Sequence, residues 1–286
     1  MMAEAPTSYE APLKRFAAMV RRGTCAQPSG EVHCGVDLGT ANIVVGVVDA
    51  ANQPVTGAWK HDTVVRDGVV VDYVGAAAAV RALTRTIEQR LGRRLTRASV
   101  AIPPGIPDGD IKVFVNVVNA ADLDVDEIVD EPVAAARVLG VRDGCVIDVG
   151  HGTTGVSVLE GGRVVHSVDQ ATGGHHMTLV LAGAYRQSYD AAEAMKKDAR
   201  RQDDVIGVIR PTLEKMATIA RDALIGYDPP LVYLVGGASS FSNAPDVFSQ
   251  ILNRPVVRPI EPLFVTPLGV PMIPQDTPSM KGARHG

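Results

Sequence analysis

Two short segments of the chain repeat a pattern that suits phosphate binding. Residues 34–39 (CGVDLG) and 145–150 (CVIDVG) each run from an apolar strand through an aspartate to a glycine, and a threonine and an alternating apolar run follow each of them. Glycine lets backbone N–H groups approach phosphate oxygens, threonine hydroxyls add donors, and an aspartate can hold a hydrated Mg²⁺ ion. Two such hairpins facing each other would clamp a nucleoside triphosphate.

The second segment also fits a dinucleotide-binding pattern in form, since residues 150–155 read GHGTTG. That fingerprint needs a helix directly after the glycines to hold a pyrophosphate. Here residues 156–159 and 163–166 alternate in hydrophobicity around Gly161 and Gly162, which predicts a β-hairpin instead. The G-x-x-x-x-G-K-[ST] signature of a P-loop does not occur in the sequence. The interpretation that remains is a phosphate-binding hairpin.

These loops need strands and helices to position them. Strand-rich blocks begin at Val32 and Gly144, and a short apolar strand at residues 231–235 ends in two glycines. Helical periodicity predicts helices over residues 75–91, 110–121, 132–139, 177–184, 189–200 and 205–225. Since the two blocks share their opening pattern, each is expected to open one lobe of a duplicated fold and to face the same cleft.

An amphipathic stretch at residues 9–22 precedes the first block. Leu13, Phe16, Ala17 and Val20 recur there at helical spacing, before a Pro/Ser/Gly break. The pattern predicts a short helix, which either packs on the body of the protein or serves as a docking peptide.

The composition of the chain favours some classes of protein and disfavours others. The chain has 286 residues, 46% of them hydrophobic, with 28 Lys plus Arg against 32 Asp plus Glu and a formal net charge of −4. This length favours two lobes with a ligand cleft between them, and the charge balance disfavours sequence-independent nucleic-acid binding. Three cysteines without a CxxC pair indicate a reducing compartment. Because no apolar run approaches the roughly 18 residues of a transmembrane helix, a cytoplasmic protein is expected.

Four motifs in order resemble the actin/Hsp70/sugar-kinase ATPase superfamily. They are a first phosphate motif, a connecting segment, a second phosphate motif and an adenosine motif, at residues 35–42, 128–136, 146–154 and 231–239. The resemblance implies a two-lobed α/β fold with duplicated RNase H-like lobes. Residues 31–141 plus 264–286 would form the first lobe, residues 142–263 the second, and residues 1–30 a leading helix and linker.

Within that superfamily the chain is most similar to a family of short Hsp70-like proteins encoded with bacterial microcompartment genes for ethanolamine utilization. Residues 64–68, 171–176, 181–183 and 264–268 carry this likeness. It implies ATP/ADP and Mg²⁺ as cofactors. It also implies a chaperone or reactivating role toward a protein client, either a microcompartment enzyme or a shell component, with neither a nucleic acid nor a membrane as partner.

The resemblance also assigns roles to individual residues. Asp37 and Asp148 would hold Mg²⁺ through water, Asp148 would lie near the attacking water, and Glu131 would orient or activate that water. The residues implied around the phosphates are Gly39, Thr40, Asn42, Gly150, Gly152, Thr153 and Thr154. Those implied around the ribose and adenine are Glu193, Lys196, Lys197, Gly236, Gly237 and Ala238.

Two positions depart from the superfamily pattern. His151 stands where most relatives have a glycine, and Gly155 replaces an aspartate that Hsp70 proteins place near magnesium. The resemblance implies that the protein binds and hydrolyses ATP, and these two departures put the rate of hydrolysis in question. A nucleotide-gated scaffold without turnover and a small-molecule kinase of the same fold are the alternatives to an ATPase. The adjacent His175 and His176 point apart as neighbours and are expected to serve the cleft rather than a metal.

Overall fold

The computed structural model describes residues 8–66 and 68–274. Residues 1–7, Asp67 and residues 275–286, which fall within the predicted leading segment and first lobe, lie outside the described residues. In chain order the elements are α1 (Glu10–Arg22), β1 (Val32–Leu38), β2 (Asn42–Asp49), β3 (Pro54–His61), β4 (Val65–Arg66), β5 (Val69–Val70), α2 (Tyr73–Leu91), β6 (Arg97–Ile102), α3 (Asp108–Ala120), β7 (Asp124–Asp130), α4 (Glu131–Leu139), β8 (Gly144–Val149), β9 (Thr154–Glu160), β10 (Arg163–Gln170), α5 (Gly174–Tyr185), α6 (Tyr189–Lys197), α7 (Gln202–Ala223), β11 (Val232–Val235), α8 (Ala244–Leu252), β12 (Val256–Val257) and α9 (Val265–Gly269).

Two five-stranded sheets share one topology. The first has the order β3-β2-β1-β6-β7 and the second the order β10-β9-β8-β11-β12. In each, a three-stranded antiparallel meander is extended by two strands that run parallel to its first strand. The repeat seen in the sequence is therefore a repeat of whole sheets. It places Asp37 of β1 and Asp148 of β8 at equivalent positions, one residue before the end of the strand.

Each sheet packs its helices into a separate core. The first core joins α2 and α3 to the first sheet, and the second joins α5, α7 and α8 to the second sheet. A third cluster lies between them and takes side chains from α1, α4, α9, β2, β8 and β11. Within it α4 and α9 cross so closely that a Cβ at Gly269 would overlap the carbonyl of Ala134. The two halves are thus joined through an apolar contact and a tight helix crossing.

The N-terminal helix packs on the body of the protein. The side chains of Leu13, Phe16 and Ala17 belong to the third cluster and are each 0% exposed. The guanidinium of Arg21 makes a bidentate ion pair with the carboxylate of Glu261. The apolar face of α1 is already covered by its own chain. This favours the packing interpretation over a docking peptide, whose apolar face would have to be free.

The predicted helices are all present, and the structure adds elements that the pattern did not predict. The main addition is β7, an acidic strand (DVDEIVD) paired in parallel with β6 at the edge of the first sheet. Acidic residues are disfavoured in strands, and edge pairing with β6 overrides that preference. In the described ranges, no helix combines the length and hydropathy needed to cross a bilayer.

Candidate functional site

A cleft of about 930 Å³ opens between the two sheets, at the ends of β1 and β8. The predicted site residues that line it come from both halves of the chain. They are Asp37, Gly39, Thr40, Asn42, Glu131, Asp148, Gly150, Gly152, Thr153, Glu193, Lys196, Lys197, Gly236, Gly237 and Ala238. The repeated folding unit thus brings both halves of the predicted site to one cavity.

The two hairpin loops are closed by the same hydrogen bond. The Gly39 N–H donates to the Asn42 carbonyl, and the Gly150 N–H donates to the Thr153 carbonyl, each at 3.0 Å. The second loop has an additional support, because the Gly150 carbonyl accepts from the Gly174 N–H at the start of α5. Each turn is therefore held by backbone hydrogen bonds and lies beside the aspartate of its strand.

Thr154 does not line the cleft, which corrects its predicted contact with phosphate. It opens β9, it is fully buried, and its hydroxyl donates to the carbonyl of Thr172. Alternate residues of a strand face opposite sides of the sheet, so Thr154 shares a face with the core residues Val156 and Val158.

Three predicted carboxyl groups, those of Asp37, Glu131 and Asp148, are half-buried in the wall of the cleft. Burial, with the nearby charge of Asp148, raises the pKa of Asp37 to about 7, and burial raises the pKa of Asp148 to about 6. Burial and the charges of Asp37 and Asp148 also raise the pKa of Glu131 well above its ordinary value. The Thr266 hydroxyl donates to Asp148 at 3.3 Å and partly offsets the rise in its pKa.

This carboxyl cluster suits a hydrated Mg²⁺ ion. Mg²⁺ is usually held by one or two carboxylates together with waters and substrate phosphates. The charge of a divalent cation would offset both the burial and the mutual repulsion that raise these pKa values. Within residues 8–66 and 68–274, no group of three or more His, Cys, Asp or Glu side chains forms a direct metal site. Asp37 and Asp148 face the same cavity, and their predicted role of holding Mg²⁺ through water stays a prediction.

Asp169 is a fourth acidic residue of the cleft, and no sequence motif predicted it. It lies on β10 opposite Gly155, where a Cβ would come within 3.6 Å of the Asp169 carboxylate. Its charge raises the pKa of both Asp148 and Glu131. Asp169 thus places a carboxylate beside Gly155, the position where the sequence departs from the Hsp70 pattern. In a regular hairpin, pairing outward from the Gly161 turn would place Val168 opposite Gly155. A bulge between Val164 and His166 shifts the register by one residue and places Asp169 there instead.

The predicted ribose and adenine contacts form a network between α5 and α6. The Lys196 ammonium donates to the Gly174 carbonyl and the Thr178 hydroxyl and pairs with Glu193, each at 2.7 Å. Glu193 also pairs with Lys197. Although burial raises the pKa of Glu193, these contacts hold it at about 2. Because three acceptors occupy the Lys196 ammonium, the exposed Lys197 is the better placed of the two lysines to meet a ligand.

The first glycine after β11 fits close against one of the carboxyl groups of the cleft. Gly236 has a φ of +87°, and a Cβ there would overlap the Asp148 carboxylate and the Val149 carbonyl. Only glycine allows both the left-handed conformation and this approach. Gly236 therefore positions the adenosine-motif segment directly beside Asp148.

Three histidines, His151, His175 and His176, lie at or beside the second loop. The His151 ring lines the cleft, and burial together with Lys196 lowers its pKa to about 4. His175 Nδ1 lies 2.9 Å from the Tyr189 hydroxyl, and His176 Nδ1 accepts from the Gly173 N–H at the start of α5. Adjacent in sequence, His175 and His176 thus have separate partners.

Comparison with known proteins places this geometry in context. The sequence profile of the family Cell division protein FtsA matches residues 145–274. The ethanolamine utilization protein EutJ of Escherichia coli (strain K12) is 37% identical over 260 residues, which cover 91% of this chain and 92% of the relative. The crystal structure of ethanolamine utilization protein EutJ from Carboxydothermus hydrogenoformans matches with a TM-score of 0.87 at 43% identity, over 92% of this chain and 97% of that one.

A more distant likeness concerns the fold alone. MreB 5 of Spiroplasma citri, solved bound to AMPPNP, matches with a TM-score of 0.69 at 18% identity, over 85% of this chain and 95% of that one. Together with the duplicated sheets, these comparisons confirm the predicted two-lobed α/β actin-like fold.

Proposed function

Since the chain belongs to the EutJ family of ethanolamine utilization proteins, we propose that it binds ATP in the cleft between its two sheets and hydrolyses it. The observation that carries this proposal is the pair of hairpin loops at the ends of β1 and β8. Both loops are closed by the same backbone hydrogen bond, and both stand beside an aspartate in one cavity. Backbone N–H groups of such loops suit phosphate oxygens on either side of a bound polyphosphate.

The proposed chemistry assigns separate tasks to the carboxyl groups. In hydrolysis the water oxygen bonds to the terminal phosphorus, the bond from phosphorus to the ADP oxygen breaks, and the water proton leaves. Glu131 would orient that water and accept the proton, because its raised pKa brings it closer to neutral pH than an ordinary carboxylate. Asp37 and Asp148 would hold Mg²⁺ through water, and the ion, when bound, supplies charge neutralisation at the phosphate oxygens.

The ring of His151 favours a second candidate, a nucleotide-gated scaffold without turnover. This imidazole occupies a loop position where a smaller residue would leave room around the phosphates. Such a protein would bind ATP and ADP with different affinity and release no phosphate.

For the biological role we propose action on a protein client, either a microcompartment enzyme or a shell component. Support comes from the family, whose relatives are named ethanolamine utilization proteins. Binding of a purified candidate client that is stronger with ATP than with ADP would support this role. Equal binding without nucleotide and with either nucleotide would contradict a nucleotide-controlled role.

The first test measures phosphate release from Mg-ATP by the wild-type chain and by Asp148→Asn, with ATP binding measured on the same samples. Turnover that falls at least about 100-fold in the variant while ATP still binds would support hydrolysis through Asp148. Binding without turnover in both proteins would favour the scaffold, and phosphate transfer to an added metabolite would favour a kinase. Absence of ATP and ADP binding by the wild-type chain would contradict the proposal.

A further inference from the structure

The side chains of His151, Tyr189 and His175 form a series of contacts that leads away from the cleft. The Tyr189 hydroxyl lies 3.3 Å from His151 Nε2 and 2.9 Å from His175 Nδ1. The ring centroids of His175 and Tyr189 are 5.2 Å apart, and those of His151 and His175 are 5.8 Å apart. One hydroxyl thus joins the imidazole of the second phosphate loop to an imidazole on α5.

The backbone around this chain is also held in place. The His151 carbonyl accepts from the His175 N–H at 2.7 Å, so the loop and the start of α5 are joined at the same two residues. Tyr189 is the first residue of α6, the helix that also carries Glu193 and Lys197. The three side chains therefore connect the phosphate loop to the helix at the proposed ribose side of the cleft.

The hydroxyl proton of Tyr189 allows two arrangements of this chain. In the first, Tyr189 donates to His151 Nε2, so a neutral His151 carries its proton on Nδ1, the ring nitrogen that Tyr189 does not contact. In the second, Tyr189 donates to His175 Nδ1, and His151 carries its proton on Nε2 and donates it to the Tyr189 hydroxyl. Since burial and Lys196 keep the pKa of His151 at about 4, the ring is neutral at physiological pH and must adopt one of these tautomers.

We propose that Tyr189 and His175 fix the tautomer of His151, so that His151 Nδ1–H donates to the terminal phosphate of ATP and distinguishes ATP from ADP. This inference rests on the proposed nucleotide binding, because it needs a phosphate beside the second loop. The γ-phosphate of ATP accepts from Nδ1–H and so stabilises the first arrangement, whereas ADP has no γ-phosphate to accept this hydrogen bond. Tyr189 and His175 are positioning residues, and His151 is the one that contacts the ligand.

The test compares ATP-analogue and ADP affinity in four proteins: wild type, Tyr189→Phe, His151→Asn and the double variant. Phenylalanine keeps the ring against His175 and removes the hydroxyl. Asparagine keeps an N–H donor near the position of Nδ1 without needing a tautomer. We expect Tyr189→Phe to weaken binding of AMPPNP about 3- to 10-fold while ADP affinity changes less than about 2-fold. In the His151→Asn background, Tyr189→Phe should have no further effect.

Tyr185→Phe is the matched control, since it removes a hydroxyl at the far end of α5 and keeps the ring under Arg201. It should leave both affinities unchanged. A loss of AMPPNP and ADP affinity to the same extent in Tyr189→Phe would overturn the inference, as would a loss that persists in the His151→Asn background. If the wild-type chain binds ADP, these outcomes contradict only the inference about His151. If the wild-type chain binds neither ADP nor AMPPNP, the proposed function itself fails.

A direct readout is the ¹⁵N chemical shift of the His151 ring nitrogens. With AMPPNP the wild-type protein should show the pattern of a proton on Nδ1, and Tyr189→Phe should show a mixture of tautomers or the Nε2–H form. An Nε2–H ring in the AMPPNP complex of the wild-type protein would overturn the proposal.

Discussion

At the scale of single residues, the two equivalent aspartates differ in their surroundings. Asp148 accepts a hydrogen bond from Thr266 of α9, and the Gly236 backbone approaches it closely. Asp37 has the higher pKa of the two, about 7 against about 6 for Asp148. The duplicated fold thus provides two similar carboxyl groups. The charge of Asp148 raises the pKa of Asp37, and the α9 contact favours the ionised form of Asp148.

The Thr266 contact gives a prediction for the pH dependence of the proposed hydrolysis. A hydrogen bond to the ionised form favours that form, so Thr266→Val should raise the pKa of Asp148. The acidic limb of the kcat profile should then shift to higher pH, with a loss of about 3- to 10-fold near pH 6.5 that shrinks at alkaline pH. Thr266→Ser keeps the hydroxyl and should retain the wild-type profile. A uniform loss at every pH in Thr266→Val would contradict this role.

At the scale of elements, sequence patterns predicted the hairpin loops and the helices well, because glycine position and periodicity are local signals. These local signals did not predict how the strands pair or which way the residues of each strand face. The acidic strand β7 forms through its contacts with β6, and a bulge in β10 brings Asp169 opposite Gly155. The predicted placement of Thr154 is wrong, because Thr154 lies on the same face of β9 as the core residues Val156 and Val158. Register and sheet face were the missing information.

The crossing of α4 and α9 predicts a strong position dependence for Gly→Ala substitutions. A Cβ at Gly269 meets the Ala134 backbone, whereas a Cβ at Gly207, on the exposed face of α7, meets no atom within 4 Å. Gly269→Ala should therefore destabilise the protein by about 2 kcal/mol or more, because the helices must separate. Gly207→Ala should stabilise it by about 0.5–1 kcal/mol through helix propensity. Denaturant unfolding of both variants measures the contrast, and equal effects would contradict the close crossing.

At the scale of the whole molecule, the halves have separate cores and meet through the third cluster and the α4–α9 crossing. Glu131 begins α4, and Thr266 of α9 contacts Asp148. The helices that join the halves therefore also carry or position the carboxyl groups of the cleft. A relative rotation of the two sheets about this crossing would change the distances among those groups, which is how a bound nucleotide could be coupled to the shape of the molecule.

The same carboxyl groups predict how pH affects the stability of the nucleotide-free protein. The folded-state pKa values of Asp37 and Asp148, about 7 and about 6, both exceed the ordinary 3.8, so the folded chain binds more protons than the unfolded chain between these limits. Their contribution to stability is full below about pH 4 and is lost as the pH rises through 6 to 7. His151 acts in the opposite sense, because its folded-state pKa of about 4 lies below the ordinary 6.5. Its contribution to stability increases as the pH rises from about 4 to about 6.5.

Comparison with Asp37→Asn isolates the carboxyl contribution, because the variant retains His151. Relative to wild type, Asp37→Asn should gain Tm as the pH rises from about 5 to about 8, by several degrees at the alkaline end. Added Mg²⁺ should raise the wild-type Tm more at pH 8 than at pH 5, since the cation binds the ionised carboxylates, and should raise that of Asp37→Asn less. Parallel Tm curves for the two proteins across this range would mean that Asp37 is ionised throughout, and the crowding of carboxylates in the cleft would then have to be relieved by another charge.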